Sequence, residues 1–120
     1  AEVRFAHAAL IEATQVAAEA ARPGQTAAEL YKVMTEALAR HGTPGGGRLG
    51  HGLGLTLTEW PSFTPLDDTP LRAGMVLTLE PGCVTGAGRI MVHEENIVLR
   101  EDGAELLSPR APAELPEIKP

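Results

Sequence analysis

Apolar residues recur three and four positions apart in the first third of the chain, and at every second position after that. From Ala1 to Ala21 the sequence is rich in alanine and free of glycine and proline. Val3, Ala6, Leu10, Ala13 and Ala17 fall at helical spacing and predict a long first helix. Pro23 and Gly24 break it. Thr26 followed by Glu29 reads as a capping box, in which hydroxyl and carboxylate each satisfy an orphan amide of a first turn. Leu30, Val33, Met34, Ala37 and Leu38 then stripe a second helix over residues 27–40, with Gly42 after His41 as its left-handed cap. Past the "TPGGG" turn the period changes. "LGLTLT", residues 53–58, alternates as a half-buried strand does. Pro61, Pro65 and Pro70 make the next stretch a loop. "MVLTLEPG" predicts a second strand halted by Pro81-Gly82, "RIMVHEENIVL" a third, and "AELLS" a short fourth after the "REDG" turn. Residues 1–108 form one unit, and 109–120 a proline-rich tail, extended and lightly tied down. Helices followed by strands, with no helical crossover between them, predict an α+β fold: two helices on one face of an antiparallel sheet.

Composition narrows the function. The 120 residues suffice for one domain with a modest core, and with only four aromatics that core rests on aliphatic side chains. A net charge of −6 and no cluster of lysine or arginine argue against a nucleic-acid or anionic-membrane surface. Cys83 is the single cysteine, so no internal disulfide forms, and a reducing, cytoplasmic setting is expected. No apolar run approaches the roughly 18 residues that span a bilayer, and no signal-peptide pattern opens the chain. The sequence begins without Met inside a helical pattern, as expected of a piece of a longer protein.

Each predicted strand carries an acid or imidazole where its pattern calls for apolar groups. His51 stands before the first, Glu80 ends the second, and Glu94 and Glu95 interrupt the third. A carboxylate in a central strand is costly unless paired or bound to a metal. Alternation puts Glu80 on a face with Thr78 and Val76, puts Glu95 with His93 and Met91, and points Glu94 the other way. His51, Glu80 and Glu95 from three neighbouring strands are expected to converge on a divalent ion such as Mn, Co, Zn or Fe. Glycines 50, 52 and 54 would let backbone or substrate approach His51 closely. Taken singly, the bland readings win: a histidine between glycines is usually a turn residue, and a glutamate before Pro-Gly a solvated charge. The combination is what points to a site.

"GHGLGLTLTEWPSF", "LRAGMVLTLEPG" and "HEENIVL" with "EDGAELLS", preceded by the "RPGQTAAEL" helix pair, resemble the methionine aminopeptidase, prolidase (Xaa-Pro peptidase) and creatinase family. The resemblance covers nearly the whole chain. It implies the C-terminal half of a pita-bread fold, two pseudo-symmetric helix-plus-sheet halves around a dinuclear metal site. It implies hydrolysis of an N-terminal peptide bond, often one preceding proline, by metal-activated water. It maps His51, Glu80 and Glu95 to metal ligands, with Glu80 also catalytic. Glu95 is preferred for its following Asn96. Glu94 competes, because the turn after the preceding strand is one residue shorter than usual. Gly52 and Thr58 fall at substrate-binding positions.

Two departures qualify the resemblance. The family's aspartate pair precedes the first helix seen here, and Asp67, Asp68 and Asp102 do not fit it. Those ligands lie upstream of Ala1 or are absent, so this chain by itself would bind the ions weakly or not at all, and would be inactive. Thr58 replaces a histidine of the family's pattern and cannot shuttle protons near neutral pH. His93, in a position where arginine is common, is the candidate substitute imidazole. The parent is thus expected to be an Xaa-Pro dipeptidase or aminopeptidase acting on peptides. The alternatives are a degenerate, non-catalytic binding module and a creatinase-type hydrolase of a small amide. Half of a two-fold fold also predicts a partner for its exposed apolar face: a second copy, or the missing N-terminal half.

Overall fold

The computed structural model describes residues 2–120; Ala1, included in the first predicted helix, lies outside them. Helix α1 runs Glu2–Ala20 and α2 runs Ala27–Arg40. The capping box forms as expected: the Glu29 amide donates to Thr26 Oγ1 at 3.1 Å, and the Thr26 amide to Glu29 Oε2 at 2.8 Å. Gly42 closes α2 at a φ of 64°, a left-handed value that glycine adopts without Cβ strain. Ala6, Leu10, Ala13 and Ala17 of α1 are buried with Leu30, Met34, Ala37 and Leu38 of α2, so the two stripes meet the same core. Val3 departs from its stripe and is exposed, as is Phe5, because α1 begins beyond the cover of its neighbours.

Seven strands follow: β1 (Gly50–Gly52), β2 (Glu59–Ser62), β3 (Val76–Leu79), β4 (Gly82–Thr85), β5 (Arg89–Val92), β6 (Glu95–Arg100) and β7 (Gly103–Leu106). Five form an antiparallel sheet in the order β2-β1-β3-β6-β7, while β4 and β5 pair as a separate hairpin. Leu77, Leu79, Ile97 and Leu99 point from this sheet into the helix layer. Opposite residues of antiparallel strands share a face. His51, Thr78 and Asn96 pair in sequence across β1, β3 and β6 and therefore line the other face.

The strand segmentation differs from the sequence pattern at three places. Residues 53–58 are not a strand but the loop between β1 and β2, with Leu55 and Leu57 fully or largely exposed. Their alternation meets no partner. The pairing is taken instead by "GHG" and "EWPS" on either side, where β1 runs close to β2 through a bulge at His51 and Gly52. The second strand ends before Pro81, as expected, but Gly82 at once opens β4, a strand the pattern did not mark. The long third strand is two, β5 and β6, divided at His93–Glu94, because β5 pairs with β4 and β6 with β3 and β7.

Beyond β7 the tail has no helix or strand but is held at several points. His7 Nε2 donates to the Pro112 carbonyl at 3.1 Å, the Ala111 amide donates to Glu95 Oε1 at 3.1 Å, and Arg4 pairs with Glu117.

Candidate metal centre

The site begins with a narrow strand. Gly50 and Gly52 flank His51, and both sit where a Cβ would strike backbone: the Thr78 carbonyl at Gly50, and the Glu59 and Trp60 carbonyls at Gly52. The clearing around His51 therefore admits the neighbouring strands β2 and β3. At Gly52 the close approach is made by the backbone of β2.

His51 is buried, at 5% exposure. Its Nδ1 lies 2.8 Å from the Gly52 carbonyl. A carbonyl only accepts, so Nδ1 donates to it and Nε2 is the ring nitrogen left for another partner. Nε2 faces Glu80 Oε2 at 3.4 Å. Two donors bound at about 2.1 Å to one tetrahedral ion lie roughly 3.4 Å apart. An imidazole with its far nitrogen fixed by a backbone acceptor, next to a carboxylate, is a donor set suited to a divalent transition metal. Behind the pair, Thr78 Oγ1 donates to Asn96 Oδ1 at 2.8 Å and ties β3 to β6 on the same face.

The convergence expected of three residues is found for two. Glu95 stands opposite Leu79 in the β3–β6 register, on the helix side of the sheet. It is buried there and bonded to His93 Nε2 at 3.1 Å. His93 is likewise not brought to His51; its ring meets His7 of α1 edge-on, with centroids 6.0 Å apart. Extending the register by one pair places Glu94 opposite Glu80, and alternation carries it to the His51 side. Glu94 is exposed, and among the described residues no three His, Cys, Asp or Glu side chains gather at metal-holding distance. Thr58 lies in the exposed loop before β2, where its carbonyl accepts from Thr56 Oγ1 at 3.2 Å.

Other acids are committed elsewhere. Asp67 accepts from the Ser62 amide at 2.8 Å and the Thr69 amide at 2.9 Å. Burial pushes its carboxyl up, but the hydrogen bonds from Thr69 and Ser62 outweigh this and hold it below the usual aspartate value. Burial pushes the Cys83 thiol up, away from the reactive thiolate. Sequence reasoning missed His7, whose helical position reads as core. Only its contacts with the tail and with His93 reveal it. A shallow cleft adjoins Glu80, lined by Arg48, Val84, Ile90 and Val92.

Fold and pair together define a class: an α+β protein with an imidazole–carboxylate site on the sheet face away from its helices. The chain belongs to metallopeptidase family M24, whose model matches residues 1–102. It is 38% identical over 102 residues to the Xaa-Pro dipeptidase of Pyrococcus furiosus, covering 82% of this chain and 29% of that protein. Among solved structures it is similar to the X-Pro aminopeptidase from Thermotoga maritima, at 35% identity and a TM-score of 0.83, covering 92% of this chain and 32% of that one. It is equally similar to the prolidase from Pyrococcus furiosus, at 35% identity and a TM-score of 0.84, covering 91% and 33%. The expected architecture, half of a pita-bread fold, is thus borne out. The chain spans about three tenths of the length of these relatives.

Proposed function

We propose that this chain is the ligand-bearing C-terminal half of an Xaa-Pro dipeptidase or aminopeptidase, and that His51, Glu80 and Glu94 are its contribution to a divalent metal site. The observation that carries the reading is His51 Nε2 aimed at Glu80 Oε2, 3.4 Å away, with the opposite ring nitrogen tied to Gly52. The names of the relatives support the substrate class, a peptide with proline after its first residue. Between the two glutamates of the third strand, the register favours Glu94 over Glu95 as the further ligand, because Glu95 is turned to the helices.

A divalent ion in this place supplies Lewis acidity toward a peptide carbonyl and lowers the pKa of a water. The protein's own residues supply the rest. The Gly52 carbonyl accepts from Nδ1, so the His51 ring is oriented with Nε2 toward Glu80 before any ion arrives. Thr78 and Asn96 tie together β3 and β6, the strands that Glu80 follows and Glu94 precedes. The cleft beside Glu80 offers aliphatic walls at Val84, Ile90 and Val92 to a substrate side chain and the Arg48 guanidinium to a carboxylate. Thr58 offers a hydroxyl but no proton relay.

The test is Mn2+ binding by the 120-residue chain, read as paramagnetic broadening of the His51 ring resonances. Broadening at His51 that is lost in Glu80→Gln and Glu94→Gln is the expected result; broadening that ignores both variants sinks the ligand assignment. A second reading, a binding module without metal, is favoured by one observation: no third ligand closes on the pair among the described residues. It predicts no response of His51 to Mn2+ even after the aspartate-bearing half is supplied.

A further inference from the structure

A buried polar cluster sits on the helix side of the sheet, away from His51 and Glu80. The inward row of β6 reads Glu95, Ile97, Leu99, so a carboxylate heads an otherwise aliphatic line. Glu95 is 6% exposed. Such a group is costly to bury unless its lone pairs are satisfied. Here one oxygen, Oε1, accepts from two donors, His93 Nε2 and the Ala111 amide, each at 3.1 Å. The His93 ring stands edge-on to His7, and His7 Nε2 donates to the Pro112 carbonyl at 3.1 Å. Helix α1, the start of β6 and the tail are thereby joined through three side chains.

The place matters because the chain changes sheets there. His93 and Glu94 lie between β5 and β6, outside both strands, and the His93 amide donates to the Pro81 carbonyl at 3.2 Å. A corner with so few backbone bonds is free to drift unless side chains pin it. Glu95 is the first residue after the corner, and its two bonds draw the tail across it.

We propose that Glu95 is a positioning residue: it clasps the C-terminal tail, residues 109–120, over the start of β6 and so fixes where Glu94 presents its carboxylate opposite Glu80. The positioning role rests on the reading of Glu80 and Glu94 as metal ligands; the clasp does not. A glutamine at 95 keeps an acceptor oxygen for Ala111 and His93 while losing the charge a metal ligand needs. This separates the clasp from direct ligation.

The experiment follows two readouts by NMR on the 120-residue chain: hydrogen exchange of the Ala111 amide, and Mn2+-induced broadening at His51. In Glu95→Gln, both are expected to stay near the wild-type values. In Glu95→Ala, Ala111 exchange is expected to rise about tenfold or more, with Mn2+ affinity falling. In Glu94→Gln, the broadening is expected to vanish while Ala111 stays protected. A chain ended at Ser108 leaves every sheet residue in place and, if Glu95→Ala fails to fold, takes over its part; its Mn2+ affinity is expected to fall about tenfold. Unchanged Ala111 exchange in Glu95→Ala overturns the clasp. Loss of broadening in Glu95→Gln as complete as in Glu94→Gln overturns positioning in favour of ligation. Unchanged affinity in the chain ended at Ser108 overturns positioning too. If wild type shows no broadening even when the aspartate-bearing half is supplied, the metal reading and positioning fall together, and Ala111 exchange alone decides the clasp.

Discussion

His51 shows how one residue can be legible in kind but not in cause. Its glycine neighbours mark it in the sequence, yet they serve strand packing: a Cβ at Gly50 would meet the Thr78 carbonyl and Phe63, and one at Gly52 the Trp60 carbonyl. Gly52→Ala should therefore disrupt the β1–β2 hairpin before it affects any ligand. The expected outcome is a destabilisation visible in urea unfolding, with His51 resonances shifted even without Mn2+. Asp67 permits a sharper prediction. It satisfies the Ser62 and Thr69 amides across the loop after β2. Asp67→Ala leaves both donors without that acceptor and should cost about 1–3 kcal/mol. The folded-state carboxyl titrates below its ordinary value, which is about 3.9 in an unfolded chain. Its contribution is then present above pH 4 and fades as pH falls through the folded value. Urea midpoints of wild type and variant should differ most near neutral pH and draw together in acid; a gap that widens in acid would reverse the sign and refute the assignment.

The elements divide between those fixed locally and those fixed by partners. Both helices carry their own signals, and α2 has its cap in the sequence. Thr26→Ala removes the acceptor for the Glu29 amide and is expected to cost about 1 kcal/mol by thermal or urea unfolding. The strands are different. "LGLTLT" alternates well but lies in a loop, while "GHG", with no strand propensity, is the interior strand β1. β-structure depends on what runs alongside, and β1 is wedged between β2 and β3 where only glycine fits. For the same reason "RIMVHEENIVL" divides at its charges, since its two halves have different neighbours.

On the scale of the molecule, the exposed apolar groups stand out. Phe5, Leu55, Leu57, Trp60, Val84, Ile90 and Val92 all face solvent. Val84, Ile90 and Val92 share the outer face of the β4–β5 hairpin, since Gly82 pairs with Val92 and Val84 with Ile90. Contiguous apolar surface of this kind marks a site of association. The chain is expected to self-associate, through an isologous contact, when its relatives' remaining seven tenths are absent. Light scattering should give a mass above 12.6 kDa that falls toward it in Val84→Lys/Ile90→Lys; a monomer at high concentration rules this out. With no third ligand gathered among the described residues, the 120-residue chain is further expected not to cleave an Ala-Pro peptide. Robust Mn- or Co-dependent cleavage by the pure chain would show that view to be wrong.

The sequence by itself determined the two helices with their cap, the α+β class, and the residue types of the site, because these depend on local periodicity and on chemistry that is conspicuous where it stands. Tertiary structure alone decided which strand pairs with which, and through that register which glutamate turns toward the helices. Alternation says that Glu94 and Glu95 point opposite ways, but not which way is inward. The pairing of Leu79 with Glu95, and the burial of that carboxylate against His93 and the tail, settle which one the helices take.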